Sequence, residues 1–114
     1  MEVQSLEFGR LQIDGRVYTE DIVIDGQKIQ PRRKDASRKY KHRYGHTPLS
    51  AEENIPWQCK RLVIGSGIYG SLPVMPEVEQ RAEQLGVELL VIPTRDAIKY
   101  LNEPDTNFVL HLTC

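Results

Sequence analysis

The first third of the chain carries short apolar runs that are separated by two Asp-Gly pairs. Asp14-Gly15 and Asp25-Gly26 are dipeptides that two-residue hairpin turns prefer, because such turns need residues that accept positive φ. Apolar runs flank both pairs, from Val3 to Ile13 and from Val17 to Ile24. The pattern predicts a meander of short antiparallel strands that ends at Pro31.

The periodicity changes at Arg61, and from there strand and helix patterns alternate. Leu62–Ile64 is continuously apolar and Val87–Ile92 is apolar except for Glu88, which is typical of strands buried on both faces of a parallel sheet. Between them, Pro76–Leu85 predicts a helix: Pro76 suits its first turn, the face formed by Val78, Ala82 and Leu85 is apolar, and Gly86 follows its last residue.

A second helix is predicted over Arg95–Asn102, with Thr94 as its cap, and a last strand over Asn107–Thr113. Short connections between these elements favour right-handed crossovers within one sheet. We therefore expect a three-layer α/β fold, in which antiparallel N-terminal hairpins accompany a βαβαβ unit on a mixed central sheet. A chain of 114 residues is long enough for one such domain, spanning 1–114.

The connection from Arg32 to Trp57 has the weakest periodicity. Only Ser50–Glu53 predicts a helical turn there, because Ser50 and Glu53 have the spacing of a capping box. The connection is distinctive for its charge, because the residues between Pro31 and His46 include seven Lys and Arg but only one acid, Asp35. The whole chain, by contrast, has a net charge of −1. These seven cations are Arg32, Arg33, Lys34, Arg38, Lys39, Lys41 and Arg43.

Composition excludes several protein classes. The chain is 39% hydrophobic and 27% charged, as in an ordinary globular protein, and it has neither a membrane-length apolar run nor the pattern of a secretory signal. Cys59 and Cys114 are too few for a disulfide scaffold. We expect a cytoplasmic location, and the sequence leaves open whether the two cysteines pair.

The segment Gly65–Gly70 spells G-x-G-x-x-G directly after a predicted strand. In a dinucleotide fold the helix begins inside this motif, and an acid lies about 20 residues further on. Here the predicted helix begins only near Pro76, and Ile92-Pro93-Thr94 offers no carboxylate. The glycines therefore favour a tight packed turn, although main-chain N–H groups of the loop could also hold an anion or small polar ligand. The candidate ligand-binding residues are Gly65, Ser66, Gly67, Tyr69 and Arg95.

The basic segment interleaves cations with Tyr40 and Tyr44. It can be a solvated loop, a contact for an acidic protein partner, or a surface that stacks nucleic-acid bases, and the slightly negative net charge makes nucleic acid the weakest of these. The candidate partner-binding residues are Arg32, Arg33, Lys34, Tyr40, Arg43, Tyr44 and His46. His42 and His46 have the spacing of a helical metal pair, but the surrounding cations disfavour a bound metal. The sequence predicts no catalytic set, metal or cofactor.

Several motifs, in their order, resemble one known family: L-V-I-G-S-G at 62–67, P-E-V at 76–78, L-G-V-E at 85–88, T-R-D-A at 94–97 and H-L-T-C at 111–114. The resemblance extends from about Ile22 to Cys114 and also takes in the basic stretch ending at Gly45-His46. It is to the MTH-type domain family, which includes the adipogenesis-associated domain proteins and an assembly factor of mitochondrial complex I. The segment Asn102–Asn107 is shorter than is usual in that family.

The resemblance implies a small three-layer α/β domain and little chemistry, because the better-known members resemble accessory or assembly proteins. Together with the absence of a catalytic set, it leads to the hypothesis of a non-enzymatic accessory domain that binds another protein. The alternative is a ligand-binding or enzymatic domain that binds a small ligand or anion at Gly65–Gly70.

Overall fold

The structure is a computed structural model that describes all 114 residues. Its eight strands are β1 (Val3–Glu7), β2 (Arg10–Ile13), β3 (Arg16–Tyr18), β4 (Ile22–Asp25), β5 (Lys28–Pro31), β6 (Arg61–Ser66), β7 (Glu88–Ile92) and β8 (Thr106–His111). The α-helices are α1 (Lys41–Tyr44), α2 (Pro76–Leu85) and α3 (Thr94–Ala97), and 3-10 helices cover Lys34–Tyr40 and Ile98–Tyr100. No helix is both long and apolar enough to cross a lipid bilayer.

Five strands form the central sheet in the order β5-β4-β8-β6-β7. Strand β6 is parallel to both of its neighbours, β7 and β8, whereas β4 is antiparallel to β8 and β5. The predicted mixed sheet with its βαβαβ unit is therefore confirmed.

Alternation along the strands produces the three layers, because successive side chains of a strand point to opposite faces. On β6, Leu62 and Ile64 pack with Val78 and Ala82 of α2, whereas Val63 packs on the opposite face. That opposite face is covered by α3 and by β1–β3, which bury Leu11 and Ile13 against the sheet. The buried residues of both core clusters are at most 9% exposed.

The N-terminal strands differ from the predicted meander in one respect, since they divide between two sheets. Strands β1–β3 form a separate antiparallel sheet, while β4 and β5 join the central one. Asp14 and Gly15 have φ values of 49° and 80° and link β2 to β3 in a two-residue turn, as their sequence predicts. The next hairpin turns one residue later than expected, at Gly26-Gln27, because Asp25 still pairs with Lys28.

The first helix is confirmed at Pro76–Leu85, with Gly86 in the left-handed conformation at its end. Leu85 was expected on its buried face and is instead 49% exposed. The second helix is shorter than predicted, because α3 ends at Ala97 and only a 3-10 turn continues it. In the long connection, helical structure lies at Lys34–Tyr44, and Ser50–Glu53 forms a turn rather than a helix.

Candidate functional site

One edge of the central sheet gathers most of the buried polar groups of the protein. The parallel strands β6, β7 and β8 all end there, at Ser66, Ile92 and His111. Because β4 is antiparallel to β8, Asp21 before β4 and Arg32 after β5 reach the same edge. Open α/β sheets place their ligand sites at this edge, so it is the natural candidate site.

Arg32 is the central residue of a buried ionic network at this edge, and its side chain is only 1% exposed. Its Nε and Nη2 donate to the two carboxylate oxygens of Glu53 at 2.7 and 2.9 Å, which is a bidentate pair. Nη1 donates to Asp21 Oδ2 at 2.8 Å, and Nη2 also donates to the carbonyl of Pro48 at 2.9 Å. Burial by itself lowers the pKa of Arg32, but the bonds to Glu53 and Asp21 outweigh burial and raise the pKa.

Two serines complete the network on the Glu53 side. The Ser37 hydroxyl donates to Glu53, and Ser50 Oγ lies 2.7 Å from Ser37 Oγ. Ser37 belongs to the 3-10 helix of the basic segment, whereas Ser50 and Glu53 belong to the following turn. The network therefore fixes the basic segment Lys34–Tyr44 to the body of the domain.

Asp21 links this network to the end of β8. Its Oδ2 lies 2.7 Å from His111 Nδ1, and its Oδ1 accepts from the Leu112 N–H at 2.9 Å. Burial raises the pKa of the Asp21 carboxyl, but the hydrogen bond and charge of His111, followed by the bonds from Leu112 and Arg32, hold its pKa below the usual value. Asp21 is accordingly an ionised structural acceptor.

His111 Nε2 lies 3.2 Å from the Thr113 hydroxyl, so Asp21, His111 and Thr113 follow the order of an orienting acid, a base and a nucleophile. Acyl transfer by such a set also needs free N–H donors for the oxyanion. The nearby candidates for that role are the N–H groups of the glycine loop, and these are already bonded. The arrangement suits anchoring of the chain after β8 better than catalysis.

The glycine loop directs its N–H groups to the protein's own chain. Ile68 donates to the carbonyl of Thr113 at 2.6 Å, and both Tyr69 and Ser71 donate to the carbonyl of Cys114, at 3.1 and 2.9 Å. The remaining main-chain donors of the loop are also occupied. The Gly67 N–H donates to Thr94 Oγ1, the Gly70 N–H to the Gly67 carbonyl and the Leu72 N–H to the Ser66 carbonyl. The loop has no free main-chain donor for an anion, so ligand binding through these groups is not favoured.

The glycines of the loop are required by close packing. Gly67 has a φ of 107°, and a Cβ there would lie 2.2 Å from the carbonyl carbon of Cys114. A Cβ on Gly65 would lie 2.9 Å from Thr94 Oγ1. Thr94 does not cap its helix as predicted, because its hydroxyl instead accepts from Gly67 and donates to the His111 carbonyl at 2.6 Å. The G-x-G-x-x-G letters thus mark tight packing of the chain after β8 against the end of β6.

The structure does not bring the candidate ligand-binding residues together. Gly65, Ser66 and Gly67 are buried, whereas Tyr69 is 74% exposed and its ring lies 6.1 Å from that of Phe8. Arg95 is exposed and lines a different cavity, beside Met1 and Ile98. The five residues therefore do not form one site.

The candidate partner-binding residues divide into one buried and several surface residues. Arg33, Lys34, Arg43 and His46 are exposed, and Tyr40 and Tyr44 are partly exposed. Arg32 must be corrected, because its guanidinium is buried and makes four hydrogen bonds to Glu53, Asp21 and Pro48, so it is not presented to a partner. The side chain of His46 makes no hydrogen bond within the protein.

Some surface cations are paired and others are not. Lys39 pairs with Glu52 at 2.7 Å, and Arg38 pairs with Asp35 at 3.0 Å. The other exposed cations of the segment form no salt bridge, and these are Arg33, Lys34, Lys41 and Arg43. A fixed segment therefore presents four unpaired positive charges.

A cavity of about 740 Å³ opens between the end of β8 and the start of the basic segment. Asp21, Arg32 and Glu53 line its floor, and Glu20 and Arg33 are among the residues around them. No group of three or more His, Cys, Asp or Glu side chains could hold a metal ion, and both cysteines carry free thiols.

Sequence reasoning missed Asp21, Glu53, Ser37 and Thr94 as members of this polar edge. Only the Ser50–Glu53 spacing carries a signal, and that spacing predicts a local cap. Glu53 instead reaches Arg32, which is 21 residues away along the chain.

No known protein family model matches the chain. Its structure is similar to the crystal structure of a conserved hypothetical protein, PH1505, from Pyrococcus horikoshii OT3, with a TM-score of 0.80 and 28% identity over the whole of both chains. It is also similar to the structure named MT938, with a TM-score of 0.70 and 26% identity over 98% of this chain and 97% of that one. An outer membrane protein from Bartonella henselae shares the fold alone, with a TM-score of 0.66 and 14% identity over 98% of this chain and 94% of that one. The three-layer fold is thus shared with proteins that include conserved hypothetical ones.

Proposed function

We propose that this protein is a non-enzymatic accessory or assembly domain of the MTH-type family that binds an acidic segment of another protein. The observation that carries the proposal is the set of four unpaired cations, Arg33, Lys34, Lys41 and Arg43, on a segment fixed by the Arg32 network. A fixed array of like charges lowers the entropic cost of binding, because its backbone is already ordered. The proposal includes a cytoplasmic location, which the two free thiols support.

The unpaired cations favour an acidic protein over a neutral one, because charge complementarity steers association and excludes partners of like charge. Tyr40 and Tyr44 add aromatic surface beside them, with Arg43 5.9 Å from the ring of Tyr44. Tyr40 OH donates to Glu52, so its ring is held in place. Aromatic and arginine side chains are enriched among the residues that dominate interface energies.

The test is affinity capture from cell extract with the purified chain at two salt concentrations, followed by direct binding of the recovered protein. A variant with Arg33→Glu, Lys34→Glu and Arg43→Glu should lose the partner. The matched control is Lys28→Glu, Lys60→Glu and Arg81→Glu, which reverses three exposed, unpaired cations elsewhere.

Specific capture by wild type and control, weakened by salt and abolished in the first variant, supports the proposal. Equal capture by both variants contradicts it, because the basic segment would then not be the contact. A partner that is recovered without any salt dependence contradicts the electrostatic part in the same way.

A further inference from the structure

A second, smaller cavity lies on the other side of His111 from Asp21. It has a volume of about 180 Å³ and is formed where three separate parts of the chain meet. Lys34, Lys41, His46 and Thr47 come from the basic segment and its exit, Ser71 and Leu72 from the chain after β6, and His111, Thr113 and Cys114 from the end of β8, with Arg32 between them.

The side chains that line this cavity are one-sided in charge. It contains the lysines Lys34 and Lys41 and no Asp or Glu side chain. Neither lysine forms a salt bridge, although their neighbours Arg38 and Lys39 do. The carboxylates bonded to Arg32, those of Asp21 and Glu53, line the larger cavity instead.

Three hydroxyl groups accompany these charges, on Thr47, Ser71 and Thr113. The side chains of Thr47 and Ser71 make no hydrogen bond within the protein, so both hydroxyls are free to donate. The carbonyl oxygen of Cys114 is occupied by the N–H groups of Tyr69 and Ser71. Ammonium groups combined with unbonded hydroxyls favour an oxyanion over a cation or an apolar ligand.

We propose that this cavity is a binding site for a phosphate-sized oxyanion, with Lys34 and Lys41 as its charge donors and Thr47 and Ser71 as hydroxyl donors. The volume accommodates a tetrahedral oxyanion with a few waters, but not a nucleotide. The site uses side chains of the basic segment and not the main-chain groups of the glycine loop, which are already bonded. It lies at the carboxyl edge of the parallel strands, where α/β folds bind ligands.

The site does not depend on the proposed protein partner. Phosphate binding is measured on the isolated chain, and the capture experiment can fail or succeed regardless of its result. Since Lys34 and Lys41 also belong to the proposed contact surface, the variants below differ from those used for capture.

The experiment is calorimetric titration of the full chain with inorganic phosphate at neutral pH, with ionic strength held constant by sodium chloride. Wild type should bind one phosphate saturably. Lys34→Gln with Lys41→Gln should weaken binding at least tenfold, and Thr47→Val with Ser71→Ala should weaken it severalfold. Arg33→Gln with Arg43→Gln removes the same charge from outside the cavity and should change affinity less than threefold.

Amide chemical-shift changes locate the ligand and should centre on Thr47, Ser71 and Thr113. Glycerol phosphate forms a second arm: equal affinity indicates a site for the phosphate group of a larger molecule, and loss of binding indicates a site for the free ion. Both results agree with an oxyanion site. Non-saturable binding to wild type, or an equal loss in the Arg33/Arg43 control, overturns the proposal, because the anion would then only follow the general positive charge.

Discussion

Arg32 provides the sharpest test of how this fold is stabilised. Replacing it with Met keeps a long side chain but removes four hydrogen bonds, to both oxygens of Glu53, to Asp21 and to the Pro48 carbonyl. The Glu53 side chain is only 1% exposed and would keep only the Ser37 hydroxyl as a donor. Breaking a buried ion pair from one side costs about 3–5 kcal/mol, because the remaining charge is left buried without its partner.

That loss is large against the roughly 5–15 kcal/mol by which a domain of this size is stable. We expect Arg32→Met to lower the unfolding midpoint by about 12–20 °C, at about 4 °C for each kcal/mol. Arg32→Lys should lie between Met and wild type, since an ammonium group cannot form the bidentate pair with Glu53. The neighbouring Arg33→Met is the control and should change stability by less than about 0.5 kcal/mol, because its side chain is exposed.

Urea unfolding followed by circular dichroism measures these differences, provided that the slope with denaturant is unchanged. The double variant Arg32→Met with Glu53→Gln should recover at least about 1.5 kcal/mol relative to the sum of the single changes, because it removes the uncompensated charge. A loss below about 1 kcal/mol for Arg32→Met, or strict additivity in the double variant, would refute the view that Arg32 and Glu53 form a coupled buried pair.

Three further predictions follow from the same edge of the sheet. The pKa of Asp21 is lowered, so the stability that its carboxylate contributes is present above the ordinary pKa near 3.8 and is lost as the pH falls through the lower pKa of the folded state. Asp21→Asn should therefore be less stable than wild type at pH 7, and urea titrations in acid should show this difference in stability closing. A difference that stays constant down to pH 2 contradicts the assignment. Gly67→Ala should lower the free energy of unfolding, measured by thermal unfolding, by at least about 2 kcal/mol, because the new Cβ combines a positive φ with a contact of 2.2 Å to Cys114. Gly15 also has a positive φ but has open space around it, so Gly15→Ala should cost only about 1 kcal/mol. Equal losses in the two variants would show that the contact with Cys114 is unimportant. Thr94→Val should lower the free energy of unfolding by about 1–3 kcal/mol, because the Gly67 N–H loses its acceptor. Thr94→Ser keeps the hydroxyl and should retain most of this stability. A serine variant as unstable as the valine variant argues against the hydrogen bonds as the cause.

The parts of the fold that the sequence predicts well are those set by local patterns. Leu62–Ile64 is continuously apolar and lies in β6, and Pro76–Leu85 has a starting proline, an apolar face and a terminating glycine, all in the expected places. The division of the N-terminal strands between two sheets was not predictable in this way, because no Gly or Pro interrupts Val17–Ile24, the run that contains most of β3 and β4. Which sheet each joins depends on β8, more than 80 residues further along the chain.

The candidate site was less accessible to prediction for the same reason. Asp21 and His111 are 90 residues apart in sequence, and no motif of the chain contains both. The residues that did form patterns have other partners in space. Thr94 stands where a helix cap is expected, but its hydroxyl is hydrogen-bonded to Gly67 and to the end of β8. Ser50 and Glu53 have capping-box spacing, but they form hydrogen bonds with Ser37 and Arg32, respectively. Side chains of these types form equally good hydrogen bonds locally and at long range, so spacing alone does not distinguish the two.

The central position of β8 has a consequence for synthesis of the protein. It follows the other seven strands in the chain, yet it lies between β4 and β6 and supplies partners to both. Until it emerges, β4–β5 and β6–β7 are two separate pairs with open edges, and Asp21 lacks the His111 and Leu112 donors that hold it. Folding of the central sheet can therefore be completed only after β8 has been translated, and nascent chains stalled before Thr106 should expose the strand edges that chaperones and aggregation both recognise.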